Sequence, residues 1–410
     1  MQWLNLVAYS VSQIVLIVWT QRAVAAQRQL PCIPNLLKNA WVPHPGAQGS
    51  FAQQGGEVVP RLTVIVPARN EAAAIEATLR SLLAQTIPVE IIAVDDRSTD
   101  ATGALMDSLS TQVPGEGRAA GKFLSVIHID ALPPGWMGKT HAMALAARQS
   151  ATPWLLFTDG DIVFQPDTLE RALRYAEHAA VDHLVLLPTL ILKTPGERMM
   201  SAVFQSLSLL TWRPWKIADP KAKHESIGMG AFNLVHSDVY RAIGGFEALS
   251  LEVLEDLRLG YEIKHHGYRQ HLVLGPGLIQ LHWAPGVFGM VHNLTKNIYA
   301  TFRFRLTLFL GAWLGLLIMC FVPFAGLFGN TYIRVVSVLS LLMIALLYQQ
   351  ASRFYNRIGP IYTLTFPIAA ALVLYAMLRS ALLTLIRRGI VWRGTFYPLK
   401  ELRRRAGPLR

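Results

Sequence analysis

The chain has 410 residues, 52% of them hydrophobic and only 16% charged, with a net charge of +12. Ordinary soluble domains carry about 25% charged residues, so the composition points to a membrane protein with a sizeable polar portion. No aromatic-basic motif accompanies the positive charge, which argues against nucleic acid and for an anionic membrane surface. Two distant cysteines, Cys32 and Cys320, exclude a disulfide framework or a cysteine-based zinc site.

The apolar run at 3–19 carries no formal charge and is followed by Gln21, Arg22 and Arg28. A cleavable signal peptide has its positive charges before the apolar run. Here they come after it, which predicts an uncleaved anchor over 1–28 with its C-terminal end in the cytoplasm. Residues 29–60, with several Pro, Gly and Gln, read as a linker. Strand and helix signals then alternate. "LTVIV" (62–66) ends at Pro67, and "EAAAIEATLRSLLAQ" (71–85) places Ile75, Leu79, Leu82 and Leu83 on one helical face. "VEIIAV" (89–94), a helix at about 100–109, "FLSVIHI" (123–129), a helix over 139–150 and "PWLLF" (153–157) follow. Helices between continuous apolar strands predict an α/β domain at 61–285, with a mainly parallel sheet covered on both faces.

Within that domain, the amphipathic, aromatic stretch 201–217 is expected to dip into the membrane interface, as is a helix over 286–305. Three apolar runs, 306–328, 333–348 and 361–386, predict membrane helices over 306–390, since ~1.5 Å per residue brings them to or near the ~30 Å of hydrocarbon. The middle run is marginal and carries Arg334. The basic loop 353–357 belongs in the cytoplasm, yet three plain crossings would leave the basic tail 391–410 outside. Either one segment is re-entrant or the charge rule is broken.

Ligands of parallel sheets bind outside the carboxyl ends of the strands. Those ends read "PARNE", "DDRSTD" and "TDGD", delivering Arg69, Glu71, Asp95, Asp96, Asp159 and Asp161 to one edge. Asp is common in turns, so one acidic strand end would mean little; three point to a site. "LLFTDGDIVF" (155–164) also fits a haloacid-dehalogenase-type phosphatase signature. That signature follows the first strand of its domain, whereas this one follows the fourth, and the earlier acids would then be idle. A nucleotidyltransferase would want a glycine-rich basic loop after the first strand, and "PARNEAAA" has no glycine. A non-catalytic scaffold would not need these acids together.

The pieces "VIVPARNE", "VDDRSTDAT", "GWMGKTHAMALA", "FTDGDIVFQPDTL", "GMGAFNLVHSDVYRAIGGFEAL" and "LEDLRLGYEIKHHGYR" occur in this order between about Leu62 and Trp283. In this the chain resembles the membrane-bound family 2 glycosyltransferases of GT-A fold. It looks most like bacterial enzymes of the hopanoid-associated, carotenoid and ceramide glucosyltransferase-like groups. The resemblance implies a nucleoside-diphosphate sugar donor, a UDP-sugar in most of the family. It also implies a divalent metal, Mg²⁺ or Mn²⁺, a membrane lipid or other hydrophobic acceptor, and a site facing the cytoplasm at a bacterial inner membrane. It places Pro67, Arg69 and Glu71 at the nucleotide pocket and Asp95 and Asp96 at the nucleobase. Lys139 falls opposite the donor, Asp159 and Asp161 are the D-x-D pair, and Asp256 is the base with Glu255 beside it. A close variant is transfer to a polyprenyl phosphate. The Q-x-x-R-W motif of polymerising relatives is absent around Gln280–Trp283, which favours addition of one sugar.

The chemistry agrees. A hard divalent cation neutralises a diphosphate leaving group and wants oxygen ligands, one or two carboxylates plus the phosphates. With one residue between them, both acids can face one ion, Asp161 more firmly and Asp159 toward ribose or the metal's water shell. Gly160 suits an unusual backbone angle or a close ligand. An attacking hydroxyl needs a carboxylate to take its proton; Asp256 alternatively caps the helix that follows it. Gly244 and Gly245 suit an acceptor-side turn or a helix cap. Adjacent His265 and His266 face different ways. Trp283 is a candidate for the acceptor side, and "WRGTFY" (392–397) resembles a tail motif of related membrane enzymes with Thr395 replacing a basic residue.

Overall fold

The computed structural model describes residues 2–38, 53–54, 57–112 and 122–405. Much of the expected linker and the last five residues of the tail lie outside the described residues. The chain divides into two compact units, one of Pro34–Leu190 with Lys216–His282, the other of Met1–Ile33, Ile191–Trp215 and Trp283–Leu409. The expected single stretch 61–285 is therefore interrupted at 191–215.

Helix α1 (Gln2–Gln29) opens the chain and a 3-10 turn follows it. Pro34 to Leu36, expected as linker, are pinned instead: Leu36 is fully buried, its N–H donates to Leu274 O, and Leu274 N–H donates to Pro34 O, each at 2.8 Å. The α/β unit then runs β1 (Leu62–Ala68), α2 (Ile75–Leu83), β2 (Val89–Asp96), α3 (Thr102–Gln112), β3 (Lys122–Ile129), α4 (Gly138–Gln149), β4 (Trp154–Phe157), β5 (Val163–Phe164), α5 (Thr168–His178), β6 (His183–Leu186) and β7 (Thr189–Leu190). After α6 (Pro195–Thr211), which packs in the other unit, come β8 (Asn233–His236), α7 (Glu255–His265), β9 (Gln270–Val273) and β10 (Ile279–Leu281).

Seven strands form one sheet in the order β9-β6-β8-β4-β1-β2-β3, and β5-β10-β7 form a second. β1 is parallel to β2 and β4, and β2 to β3, while β8 is antiparallel to both β4 and β6. This is the mainly parallel mixed sheet of a GT-A-like fold. β1 is buried along its whole length, as a strand covered on both faces must be. Ala68 pairs with Asp95 and Ile65 with Phe157, so the ends of β1, β2 and β4 share one edge. Asn233 pairs with Phe157, so β8 starts there, bringing residues 227–232 to the same edge.

Helix α2 begins four residues later than its periodicity predicts. The N–H groups of Asn70, Glu71 and Ala72 are bound by Ser98 Oγ, Thr102 Oγ1 and Asp100 Oδ2 at 3.1, 2.8 and 3.2 Å, and Asn70 has φ 55. The left-handed Asn70 and these side-chain bonds hold residues 70–72 in a turn ahead of the helix.

In the second unit α8 (Gly286–Thr301) precedes three helices long and apolar enough to cross a membrane: Leu306–Phe328, containing α9 (Leu306–Ala325); α10 (Thr331–Phe354); and Pro360–Arg387, containing α11 (Phe366–Arg387). α10, marginal in sequence, has 24 residues. The unit ends in a hairpin, β11 (Gly389–Trp392) and β12 (Thr395–Pro398), and α12 (Leu399–Arg405). α6 belongs here because Ala202 packs with Tyr348 and Ile358.

Side-chain contacts fix the helix directions. α1 and α10 run parallel: Asn330 Nδ2 donates to Tyr9 Oη at 2.8 Å at one end, and Gln350 Nε2 to Gln27 Oε1 at 2.7 Å at the other. α11 runs antiparallel to α9. Phe366 at its start stacks on Phe324 near the end of α9, Trp313 Nε1 donates to Leu374 O at 3.1 Å, and Ser380 accepts from Tyr299 N–H before α9 begins. α10 and α11 therefore point the same way, although they are consecutive. The chain turns at 355–359 and climbs back through the 3-10 stretch Pro360–Thr365, ~2 Å per residue. The re-entrant alternative explains the charge conflict. Arg303, Arg305, Arg353, Arg357, Arg387, Arg388 and the basic α12 gather at one end of the bundle, and Arg334 stands at the other.

Candidate active site

The sheet edge collects the sequence-predicted residues of the α/β unit. Arg69 and Glu71 follow β1, in a turn sewn to the 97–102 loop; besides the bonds above, Asn70 Oδ1 accepts from Thr99 N–H at 2.8 Å. Arg69 Nη1 is buried without a partner. At the end of β2, Asp95 accepts from Ser98 N–H at 3.0 Å and meets His128 Nδ1 at 3.2 Å. Asp96 is fully buried, takes Arg97 Nε at 2.8 Å on one oxygen and keeps the other unpartnered against the start of α4. His128 lies between Asp95 and Asp107, which hold it above the usual imidazole range.

Asp159 and Asp161 leave β4 through a turn whose Gly160 carbonyl accepts from Thr78 Oγ1 at 2.9 Å. Gly160 has no left-handed backbone. An added Cβ would lie 3.3 Å from Ala68 Cβ and 3.5 Å from Ile75 Cδ1, so its smallness serves packing between β1 and α2 rather than ligand approach. Burial, with Asp159 and Glu71 alongside, pushes Asp161 up to about 6. A carboxyl kept from ionising for want of a counter-charge fits a divalent cation. Among the described residues no set of three or more His, Cys, Asp or Glu forms a protein-only cage. The remaining ligands would come from phosphate and water.

Glu255 and Asp256 begin α7. Lys139 Nζ sits between Asp159 Oδ1 at 2.6 Å and Glu255 Oε1 at 2.7 Å. It is thus a counter-ion within the acidic cluster as well as a candidate for facing the donor. The helix cap is Leu254, with no side-chain cap bond, so Asp256 does not cap α7. Instead Asp256 Oδ1 accepts from Leu257 N–H at 2.7 Å and Oδ2 from Gly230 N–H at 2.8 Å. Burial and the neighbouring Glu255 charge push Asp256 up to about 7, against the pull of Lys139.

Gly230 is the hinge of the arrangement. Its carbonyl accepts from Asp159 N–H at 2.9 Å while its N–H holds Asp256, so one residue ties the D-x-D turn to Asp256. A Cβ there would land on the Asp159 carboxylate; one on Gly228 would land inside the Asp256 backbone carbonyl, and one on Gly260 inside that of Ile227. The stretch "GMGAFN" (228–233) carries Gly228 and Gly230 with no local mark of this role. The Gly-x-Gly before a strand was the available signal, but only the antiparallel pairing of β8 brings it to the edge.

Residues 63–241 match the model of glycosyl transferase family 2. Over this stretch the chain is similar to the family 2 glycosyltransferases. It is 27% identical over 201 residues to the 4,4'-diaponeurosporenoate glycosyltransferases of Staphylococcus aureus strains MRSA252 and USA300, which covers 48% of this chain and 50% of theirs. The chain thus spans about half the length of the curated relatives it matches. Looser likenesses run to the mannosyltransferase PcManGT of Pyrobaculum calidifontis with GDP-Man and Mn²⁺ (TM-score 0.49, 17% identity, 92% of this chain and 99% of that one). Another is S. aureus TarS 1–349 with UDP-GlcNAc (TM-score 0.39, 14% identity, 82% and 95%).

The remaining candidates have local surroundings of their own. His265 stacks on Tyr261 at 3.7 Å and His266 Nδ1 meets Glu262 O, and among the described residues neither joins a group of three or more potential metal ligands. Gly244 (φ 83) and Gly245 (φ 55) form a left-handed turn between two short helices. In the helical unit Trp283 packs on Phe204 at 5.9 Å. "WRGTFY" is the β11–β12 hairpin, turned by Arg393 and Gly394 at positive φ, with Val391 and Phe396 exposed.

Proposed function

We propose that the protein transfers a single sugar from a UDP-sugar to a hydrophobic, membrane-embedded acceptor by single displacement. The observation that carries this reading is the joint held by Gly230, which fixes a cation-seeking acid pair and a base of raised pKa within one hydrogen-bonded unit. Mg²⁺ or Mn²⁺ held by Asp161 and Asp159 would neutralise the departing diphosphate. Asp95 and Asp96 face the nucleobase, and Pro67, Arg69 and Glu71 line the nucleotide. Asp256 takes the acceptor hydroxyl's proton, and its raised pKa suits a base working near neutral pH. The two N–H groups of Gly230 and Leu257 aim its carboxylate. Lys139 keeps the acids from repelling one another before the donor arrives.

A carotenoid-like or other apolar acceptor accords with the matched relatives and with Phe204, Trp283 and Phe288 in the helical unit; Phe288 is 87% exposed. We assign the protein to a bacterial inner membrane, with the sugar-nucleotide site in the cytoplasm, where the basic end of the helices also belongs. The test is donor turnover by purified full-length protein across a panel of nucleotide sugars, with and without Mn²⁺ or Mg²⁺. Turnover of a UDP-sugar that needs the metal and is lost in Asp161→Asn is expected; no turnover or binding of any nucleotide sugar overturns the reading.

A further inference from the structure

The helical unit contains a cavity lined by none of the residues assigned to sugar transfer. Its volume is about 480 Å³, and it is lined by Gln349, Ser352 and Arg353 of the last two turns of α10 and by Arg357, Ile358 and Pro360 of the connector. Arg357 adopts φ 52 and its N–H bonds Ser352 O at 2.6 Å, which curls the connector back over α10. Ser352 Oγ donates to Ile358 O, and Tyr348 Oη to Gly359 O at 3.4 Å, so the wall is tied at two points. Both arginines are exposed, and among the described residues neither is paired with a carboxylate.

A basic residue at a helix end has a plain use, offsetting the macrodipole, whose negative end amounts to about half a charge. Two guanidinium groups exceed that and leave the cavity with an excess of roughly one and a half positive charges. The unit has two acids against fourteen Lys and Arg in residues 283–409: Glu401, in α12, and Glu197, which is taken up by the backbone N–H groups of Lys193, Thr194 and Gly286. The rim is apolar. Ile361 and Leu364, on the re-entrant 3-10 stretch, are 66% and 76% exposed. Polar floor, double positive charge and apolar rim thus meet at the end of a helix long enough to cross a membrane. A free anion would need the charge but not the rim.

We propose that this cavity binds the phosphate headgroup of an anionic phospholipid, with Arg353 and Arg357 on the phosphate, Gln349 beside it, and the acyl chains along Ile361 and Leu364. Arginine's planar fork suits phosphate oxygens. Bound there, the lipid holds the turn from which the connector re-enters. The proposal is independent of the sugar-transfer reading and stands if that reading fails.

The test is native mass spectrometry of the full-length protein released from mixed vesicles of phosphatidylglycerol and phosphatidylcholine with identical acyl chains. Wild type is expected to retain phosphatidylglycerol. Arg353→Gln with Arg357→Gln should lower its retention about thirtyfold, at about 1 kcal/mol for each lost basic residue. Arg334→Gln, at the other end of α10, should leave it unchanged. Equal retention of both lipids by wild type, or undiminished retention by the double variant, overturns the proposal. Displacement by millimolar inorganic phosphate in detergent, with no lipid preference, would assign the cavity to free phosphate and also overturn it. A readout without mutation uses phosphatidylglycerol bearing a photoactivatable headgroup. Labelling of residues 349–360 supports the site, and labelling only elsewhere contradicts it.

Discussion

Charge is handled in opposite ways by the two units. In the α/β unit the decisive charges are acids, half or fully buried at strand ends and at the start of α7, where backbone N–H groups of Leu257 and Gly230 hold Asp256. In the helical unit they are bases, mostly at helix ends and in short connectors, where the helix directions gather them at one end of the bundle. Buried acids store a demand for a cation or a proton, which is useful for chemistry. Exposed bases answer to a surface, which is useful for orientation. Substitutions in the first should change rate, and substitutions in the second should change placement with rate nearly intact.

The sharpest test of that contrast is Asp256→Asn, which should reduce transfer by about 10²–10⁴-fold, the usual worth of a positioned general base. Steady-state product formation checks it. Asp161→Asn should abolish the metal dependence of donor binding, measured by titration calorimetry with and without Mn²⁺. It should also flatten the pH dependence of metal-free stability. The sign follows from the raised pKa: the folded protein binds more protons than the unfolded chain between about 3.8 and about 6, so stability falls as pH rises through that window and the penalty is complete above it. Replacing the acid removes the fall, which thermal melts across pH would show.

Smaller effects follow from the glycines. Gly230→Ala puts a methyl onto the Asp159 carboxylate, a side chain able to swing aside, and should cost about tenfold in rate with modest loss of stability. Gly228→Ala meets the Asp256 backbone carbonyl, which cannot swing aside, and should show mainly as a lowered melting temperature. In wild type, kcat/KM should fall about tenfold per pH unit below about 7, as Asp256 takes up its proton. The least effect on rate belongs to the helical unit. With Cys32 and Cys320 replaced by Ser, Arg357→Cys and Arg404→Cys should both react with a membrane-impermeant maleimide from one side of sealed vesicles, and Arg334→Cys from the other.

The sheet was legible because buried parallel strands read as short apolar runs, and "VEIIAV" and "PWLLF" fall within a residue or two of β2 and β4. The acids were legible for the same reason, since a strand end is where polarity returns. What escaped depends on pairing across the chain. Gly230 gains its role only when β8 runs antiparallel to β4. The late start of α2 depends on side chains 28 to 31 residues away. Helix α6 reads as part of the α/β domain, but its burial is decided by Tyr348 and Ile358, far down the chain. The connector after α10 was legible only as a contradiction between apolar run count and charge.

The central claim is that one hydrogen-bonded unit couples a donor-binding acid pair to a separate base. Asp256→Asn tests it most directly when donor affinity and transfer are measured on the same preparation with Mn²⁺ present. The account expects a UDP-sugar dissociation constant within about twofold of wild type, with transfer reduced at least a hundredfold. Unchanged transfer, or loss of transfer that merely follows loss of donor binding, would contradict it.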